Sequence, residues 1–165
     1  MKNINLLLLF CFVVGAISCK DESMPIDDLS DVAWYNSQSS YKNDSIVVGR
    51  TISFIDASVG ALSHVWEINL DDSTHFLSKN FNTSADSLSK YINPALGSTT
   101  TDKAVFVLFS KVGTATVRLR NTFSTYVLYR GTNQLKAKLD PNNPSVWVID
   151  TTFVFRVKNA PVAKP

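Results

Sequence analysis

The 165-residue chain has only two cysteines, two histidines, six glycines and six prolines. Each scarcity excludes something. Cys11 lies inside an apolar N-terminal run and Cys19 at its end. Beyond Cys19 there is no thiol for a disulfide, a thiolate zinc site or a cysteine nucleophile, so whatever folds there is held by packing. Two histidines, His64 and His75, leave little material for an imidazole metal site or an acid–base pair. There is no Gly-x-Ser-x-Gly, no His-Glu-x-x-His and no phosphate loop. Charge of either sign is not in surplus: 16 Lys+Arg stand against 14 Asp+Glu. That balance gives no basic excess to recruit nucleic acid and no acidic excess to solvate a disordered tail. The chain also lacks an apolar run of the roughly 20 residues that a membrane-spanning helix needs.

What is present begins with Lys2 and the short apolar stretch LLLLFCFVVGAI over residues 6–17. A charged start, a short apolar middle and a small-residue exit make residues 1–18 a secretory signal peptide. Ordinary cleavage needs no cysteine after the cut. Ala16-Ile17-Ser18-Cys19 resembles a bacterial lipobox, with the small Ser18 before the cut and Ala16 in place of the usual leucine. The resemblance implies that Cys19 becomes an acylated N-terminus and that the membrane is a partner through this lipid. Stable anchoring takes more than one chain, and a lipoprotein cysteine typically carries several. The alternative is a plain signal peptide with an incidental cysteine. Lys20-Asp21-Glu22 resembles the charged export signal of surface lipoproteins of the Bacteroidota type. That implies an outer-membrane address, on the outward-facing leaflet. Residues 19–30, rich in Ser and Asp, read as a flexible tether.

From Ile46 onward the pattern is that of strands. In TISFID, Ile52 and Phe54 share a face. In LSHVWEINL, Trp66 and Ile68 oppose Glu67. KAVFVLF is apolar on both faces, as a covered strand would be. Ala115, Val117 and Leu119 alternate with Thr116, Arg118 and Arg120. TYVLYR reads as another strand. VWVIDTTFVFRV keeps Trp147, Ile149, Thr151, Phe153, Phe155 and Val157 on one side. Turn residues separate these runs: Gly49, Gly60, Pro94 to Gly97, Gly113, Gly131 and the Asp140-Pro141-Asn142-Asn143-Pro144 stretch. No convincing helical period occurs, apart from one turn expected between Ser84 and Lys90. The pattern predicts an all-β fold, an antiparallel β-sandwich or barrel, over residues 31–158. Residues 159–165 read as a linker-like tail.

VVGRTISFIDAS, SHVWEINLDD and FSKVGTATVRLRN together resemble a PKD domain, an immunoglobulin-like β-sandwich. Gly49, Phe54, Trp66, Gly113, Val117, Leu119 and Asn121 fill the family's places, over residues 46–121. The resemblance implies that Trp66 faces the core on the third strand. The chain departs where the family has Trp-Asp-Phe-Gly-Asp-Gly; here Trp66-Glu67-Ile68-Asn69-Leu70-Asp71-Asp72 has no glycine. Insertions precede Lys103, and further strands come after Asn121.

Candidate chemistry is sparse, and no catalytic residue, cofactor or metal is expected. His75 with Asp71 and Asp72 could gather a cation, but Asp-Asp-Ser is ordinary turn chemistry. Most acids fall in turns, strand ends or the tether: Asp21, Glu22, Asp27, Asp28, Asp31, Asp71, Asp72, Asp102 and Asp140. Glu67 and Asp150 are mid-strand and read as outward. Glycosidase chemistry needs two carboxyls facing each other across a bond, and no such pair is recognisable. Trp66 and Trp147 read as core. Trp34, Tyr35 and Tyr41 either stack on sugar rings or pack the first strand against the domain. Arg118, Arg120, Arg130 and Arg156 form either a basic stripe or solvated positions that discourage edge pairing. Asp44-Ser45-Ile46 and Asp86-Ser87-Leu88 resemble a short O-glycosylation signal of the same bacterial group.

The divergent PKD-like stretch VLFSKVGTATVRLRNTFS resembles the N-terminal module of surface glycan-binding proteins, which stands between the lipid and a sugar-binding domain. That implies a non-catalytic surface lipoprotein supporting polysaccharide binding and uptake, with polysaccharide or other surface proteins as partners. Either the sandwich works alone or a downstream binding domain is missing. The other expectation is a structural or adhesive module that presents a surface to a partner protein, since fold alone does not choose.

Overall fold

Alternation of apolar and polar side chains becomes two facing sheets. The computed structural model describes residues 30–38, 45–69, 73–79, 87–131 and 134–161. Its strands are β1 (Trp34–Asn36), β2 (Ser45–Val47), β3 (Thr51–Asp56), β4 (Ala61–Ile68), β5 (Thr74–Phe76) and β6 (Thr99–Thr100). They continue with β7 (Ala104–Phe109), β8 (Gly113–Phe123), β9 (Leu128–Tyr129), β10 (Leu135–Lys136), β11 (Lys138–Asp140) and β12 (Asn143–Lys158). The helical residues described are two 3₁₀ turns, Ser89–Tyr91 and Pro94–Leu96. The first falls at the end of the stretch where a turn is expected.

One sheet has the order β1-β3-β7-β5, and the other β11-β12-β8-β4-β6. This is the immunoglobulin-like arrangement, in which strands A, B, E and D face strands C, F and G. Here β1, β3, β7 and β5 take the first set of places, and β4, β8 and β12 the second. β2 runs parallel to the end of β12, with Ser45 opposite Arg156 and Val47 opposite Lys158. Gly49, at φ 81°, makes the turn from β2 into β3 in a conformation that side-chain-bearing residues avoid.

The main core is built from both inner faces: Ile52 and Phe54 of β3, Val107 and Phe109 of β7, Trp66 of β4, Val117 and Leu119 of β8, and Phe155 of β12. Trp66 is fully buried, its ring 5.6 Å from Phe54 and 6.4 Å from Phe153. The sequence phase therefore holds in β3, β4, β8 and β12. β7 lies between two strands, as expected for its continuous apolar run.

Beyond Phe123, where further strands are expected, the structure adds a cap and a second core that the pattern did not show. Residues 124–131 and 134–142 carry β9, β10 and β11 and cap one end of the sandwich. They enclose a second core of Val32, Phe123, Val127, Ala137 and Ile149. Trp34 joins the two cores, stacking on Tyr129 at 3.7 Å and 18°. Of the expected strand TYVLYR, Leu128–Tyr129 forms the strand pair with β10, the Val127 carbonyl next to it accepts from Ala137 N–H at 3.1 Å, and the Val127 side chain is buried beneath the cap. Trp147, expected in the core, is half-buried at the rim and packs edge-on against Tyr126 at 5.1 Å. The reason is length. β12 has 16 residues, whereas β3 and β7 of the facing sheet have 6 each, so β12 outruns them.

The chain enters and leaves at opposite ends. Val32 packs beside Phe123 and Ile149, while Val48 N–H donates to the carbonyl of Lys158 at 2.9 Å. From Ile149 to Lys158 along β12 is about 30 Å at ~3.3 Å per residue.

Candidate functional site

Polar chemistry gathers at two places. The first is interior. β3 carries Asp56 in phase with Ile52 and Phe54, so its carboxylate points into the sandwich and is fully buried. Oδ1 accepts from Ser58 N–H at 3.0 Å, closing a local turn, and from Asn121 Nδ2 at 3.1 Å. Oδ2 accepts from Lys103 Nζ at 3.3 Å. Asn121 comes from β8 of the other sheet, is itself fully buried, and also donates to Ser58 Oγ at 3.0 Å. Lys103 reaches in from a half-exposed position. His64, across from Asn121 on β4, has Nδ1 3.9 Å from Asp56 Oδ2, beyond hydrogen-bond range.

Serine, histidine and aspartate in one cluster invite comparison with a nucleophilic triad, and the geometry differs. Ser58 Oγ is engaged by Asn121 and by the backbone of Ala33 at 3.3 Å, and Ser58 N–H binds the aspartate itself. A triad needs the imidazole between the serine and the acid. Here the amide of Asn121 holds that place, and the cluster ties one sheet to the other.

Asn121→Ala should therefore destabilise the domain by about 1–3 kcal/mol, because it leaves a buried carboxylate short of a donor. Urea denaturation of the variant and the wild type measures this. Coincident midpoints would mean that the amide carries no such tie.

The second place is the outer face of the larger sheet. Glu67, Arg118 and Asp150 point outward, as their strand phase requires. Arg118 meets Asp150 with two parallel donors, Nε at 2.8 Å and an Nη, and gives its other Nη to Glu67 at 3.1 Å. Its guanidinium is pushed further up from an already high pKa, first by the hydrogen bond and charge of Asp150 and then by Glu67. Arg120 pairs with Asp140 at 2.8 Å. The arginine stripe is thus largely neutralised along its middle, while Arg130 and Arg156 are exposed. Beside this lattice, Glu67, Asn69, Thr116, Arg118 and Thr152 line a depression of about 270 Å³. Asn69 Oδ1 accepts both the N–H (2.6 Å) and hydroxyl (2.7 Å) of Thr116. Such a face can exchange hydrogen bonds with hydroxyls. Its two mid-strand carboxylates are both committed to one cation.

His75 lies on β5, half-buried, in a groove with Thr74, Phe76, Asn93 and Pro94. Its suggested partners Asp71 and Asp72 lie outside the described residues, as do Cys19, Tyr41, Asp44 and Asp86. Among the described residues no group of three His, Cys, Asp or Glu side chains could hold a metal ion. Nor is any helix among them long and apolar enough to cross a membrane. Trp34 packs β1 onto the cap, whereas Tyr35 is 63% exposed. No known protein family, curated protein or solved structure matches the chain.

Proposed function

We propose that this is a lipid-anchored, non-catalytic surface lipoprotein whose PKD-like sandwich supports polysaccharide binding and uptake. The observation that carries the reading is the entry and exit of the chain at opposite ends of the sandwich, about 30 Å apart along β12. A module threaded in this way is a spacer: it holds the chain beyond Lys158 away from the segment that leads into Asp31. The lipobox-like Ala16-Ile17-Ser18-Cys19 and the charged Lys20-Asp21-Glu22 supply the anchor and the outer-membrane address. The commitment of Glu67 and Asp150 to Arg118, and of Asp56 to Asn121 and Lys103, agrees with a supporting role.

A second reading, a structural or adhesive module, is favoured by one feature. Tyr35 and Ile55 stand directly opposite each other on the edge pair β1–β3, 63% and 44% exposed. A small apolar pair there suits contact with a protein.

A glycan array of the mature chain separates the two. Retention of one polysaccharide class supports the first reading. No retention, with capture of a surface protein that Tyr35→Ser abolishes, supports the second. The mature chain incubated with plant and algal polysaccharides should release neither reducing ends nor unsaturated products. Turnover that disappears in Glu67→Gln or Asp150→Asn would make the protein an enzyme.

A further inference from the structure

The end of the sandwich at which the chain enters differs from the rest of the surface. Of the eight exposed large apolar side chains among the described residues, four lie there: Val59, Leu62, Tyr126 and Leu139. Val59 stands at the tip of the β3–β4 turn and is bridged to Asp31. Leu62 occupies the bulge where β4 begins, between Ala61 and Ser63. Leu139 lies across from Trp147, and Tyr126 packs on the Trp147 ring. Residues at turn tips and rims contribute nothing to either core while exposed, and burying them elsewhere is favourable. Tyrosine and tryptophan, each with an apolar body and a polar tip, are the side chains that settle at a membrane–water boundary.

The charge of the same end agrees. Arg130, Lys136 and Lys138 of the cap are exposed and make no ion pair among the described residues. The acids nearby are mostly taken: Asp140 by Arg120 and Asp56 by Lys103, leaving Asp31 exposed. The cap is therefore a cationic rim around an apolar and aromatic tip.

We infer that this end docks on an anionic lipid surface, with Tyr126, Trp147, Val59, Leu62 and Leu139 at the headgroup boundary and Arg130, Lys136 and Lys138 against lipid phosphates. The inference rests on the anchored reading above, because residues 19–30 join the domain at Asp31, on this same end. An acyl anchor on a tether leaves the domain free to swivel. Docking of the rim fixes it, with β12 directed away from the membrane and Lys158 outermost.

The experiment uses the processed full-length protein reconstituted into vesicles. The vesicles are phosphatidylcholine alone or phosphatidylcholine with phosphatidylglycerol, with and without brominated chains. In anionic vesicles at low salt, brominated lipid should reduce tryptophan emission by roughly a third, the share of one tryptophan in three. Trp147→Phe should abolish that difference. The triple variant R130E/K136E/K138E, neutral vesicles or high salt should each weaken it at least about fivefold, as the loss of basic contacts to an anionic surface requires. Flotation with the vesicles reads the anchor, and quenching reads the docked end. Flotation without quenching, or quenching that ignores the charge reversals, overturns the docking. Flotation and quenching without incorporated fatty acid overturn the anchor alone, and no flotation overturns both.

Discussion

Trp66→Ala should lower the melting temperature of the domain by roughly 10–20 °C, the consequence of losing about 3–5 kcal/mol at a fully buried indole. Trp66 is fully buried in the main core and is packed between Phe54 of one sheet and Phe153 of its own. Its strand neighbours across the sheet, Leu119 and Thr100, are buried as well. Nothing nearby can collapse into the space without moving a strand. Beyond Cys19 the chain has no disulfide to limit the damage, and a domain of ordinary stability holds only about 5–15 kcal/mol in reserve. Trp66→Phe is the informative companion. The indole Nε1 is buried without a hydrogen-bond partner among the described residues, so phenylalanine removes that donor along with part of the ring. It should cost less than half as much as alanine. Thermal denaturation tracked by near-UV circular dichroism reads both variants. An alanine variant that melts with the wild type would contradict the placement of Trp66 between the sheets.

The strands that carry this core are readable because each buries one face. A period of two survives in TISFID, HVWEI, TATVRLRN and VWVIDTTFVFRV, and residue after residue the apolar phase points inward. The same phase also held a signal that a search for apolar residues passes over. Asp56 is in step with Ile52 and Phe54, His64 with Trp66 and Ile68, and Asn121 with Val117 and Leu119. Two of these, Asp56 and Asn121, lie near the ends of their strands and tie the sheets by hydrogen bonds, with His64 beside them. Acids sorted by turns and strand ends leave Asp56 out.

The rest depended on partners distant in sequence. Arg118 reads as a solvated strand position until β4 and β12 bring Glu67 and Asp150 to either side of it. Trp147 reads as core from its own strand, because the alternation of β12 does not reveal that the facing strands stop short. The cap is made of the two- and three-residue strands β9, β10 and β11, too short to print a period, and its core is assembled from Val32, Phe123 and Ile149 as much as from itself.

Cys19→Ala should release the protein from the membrane altogether. Acyl chains hold by about 0.8 kcal/mol for each buried methylene, and no weaker contact of the folded domain replaces several chains. The lipobox-like Ala16-Ile17-Ser18-Cys19 supplies the motive for choosing this residue, and the charges at Lys20, Asp21 and Glu22 the expectation that the anchored domain faces outward. The direct test is growth with labelled palmitate, then membrane fractionation and protease treatment of intact cells. The wild-type chain should carry label, pellet with outer membranes and be cleaved from outside. Cys19→Ala should carry no label and appear in the soluble fraction. An alanine variant that still pellets, with its label unchanged, would contradict the lipid-anchored account.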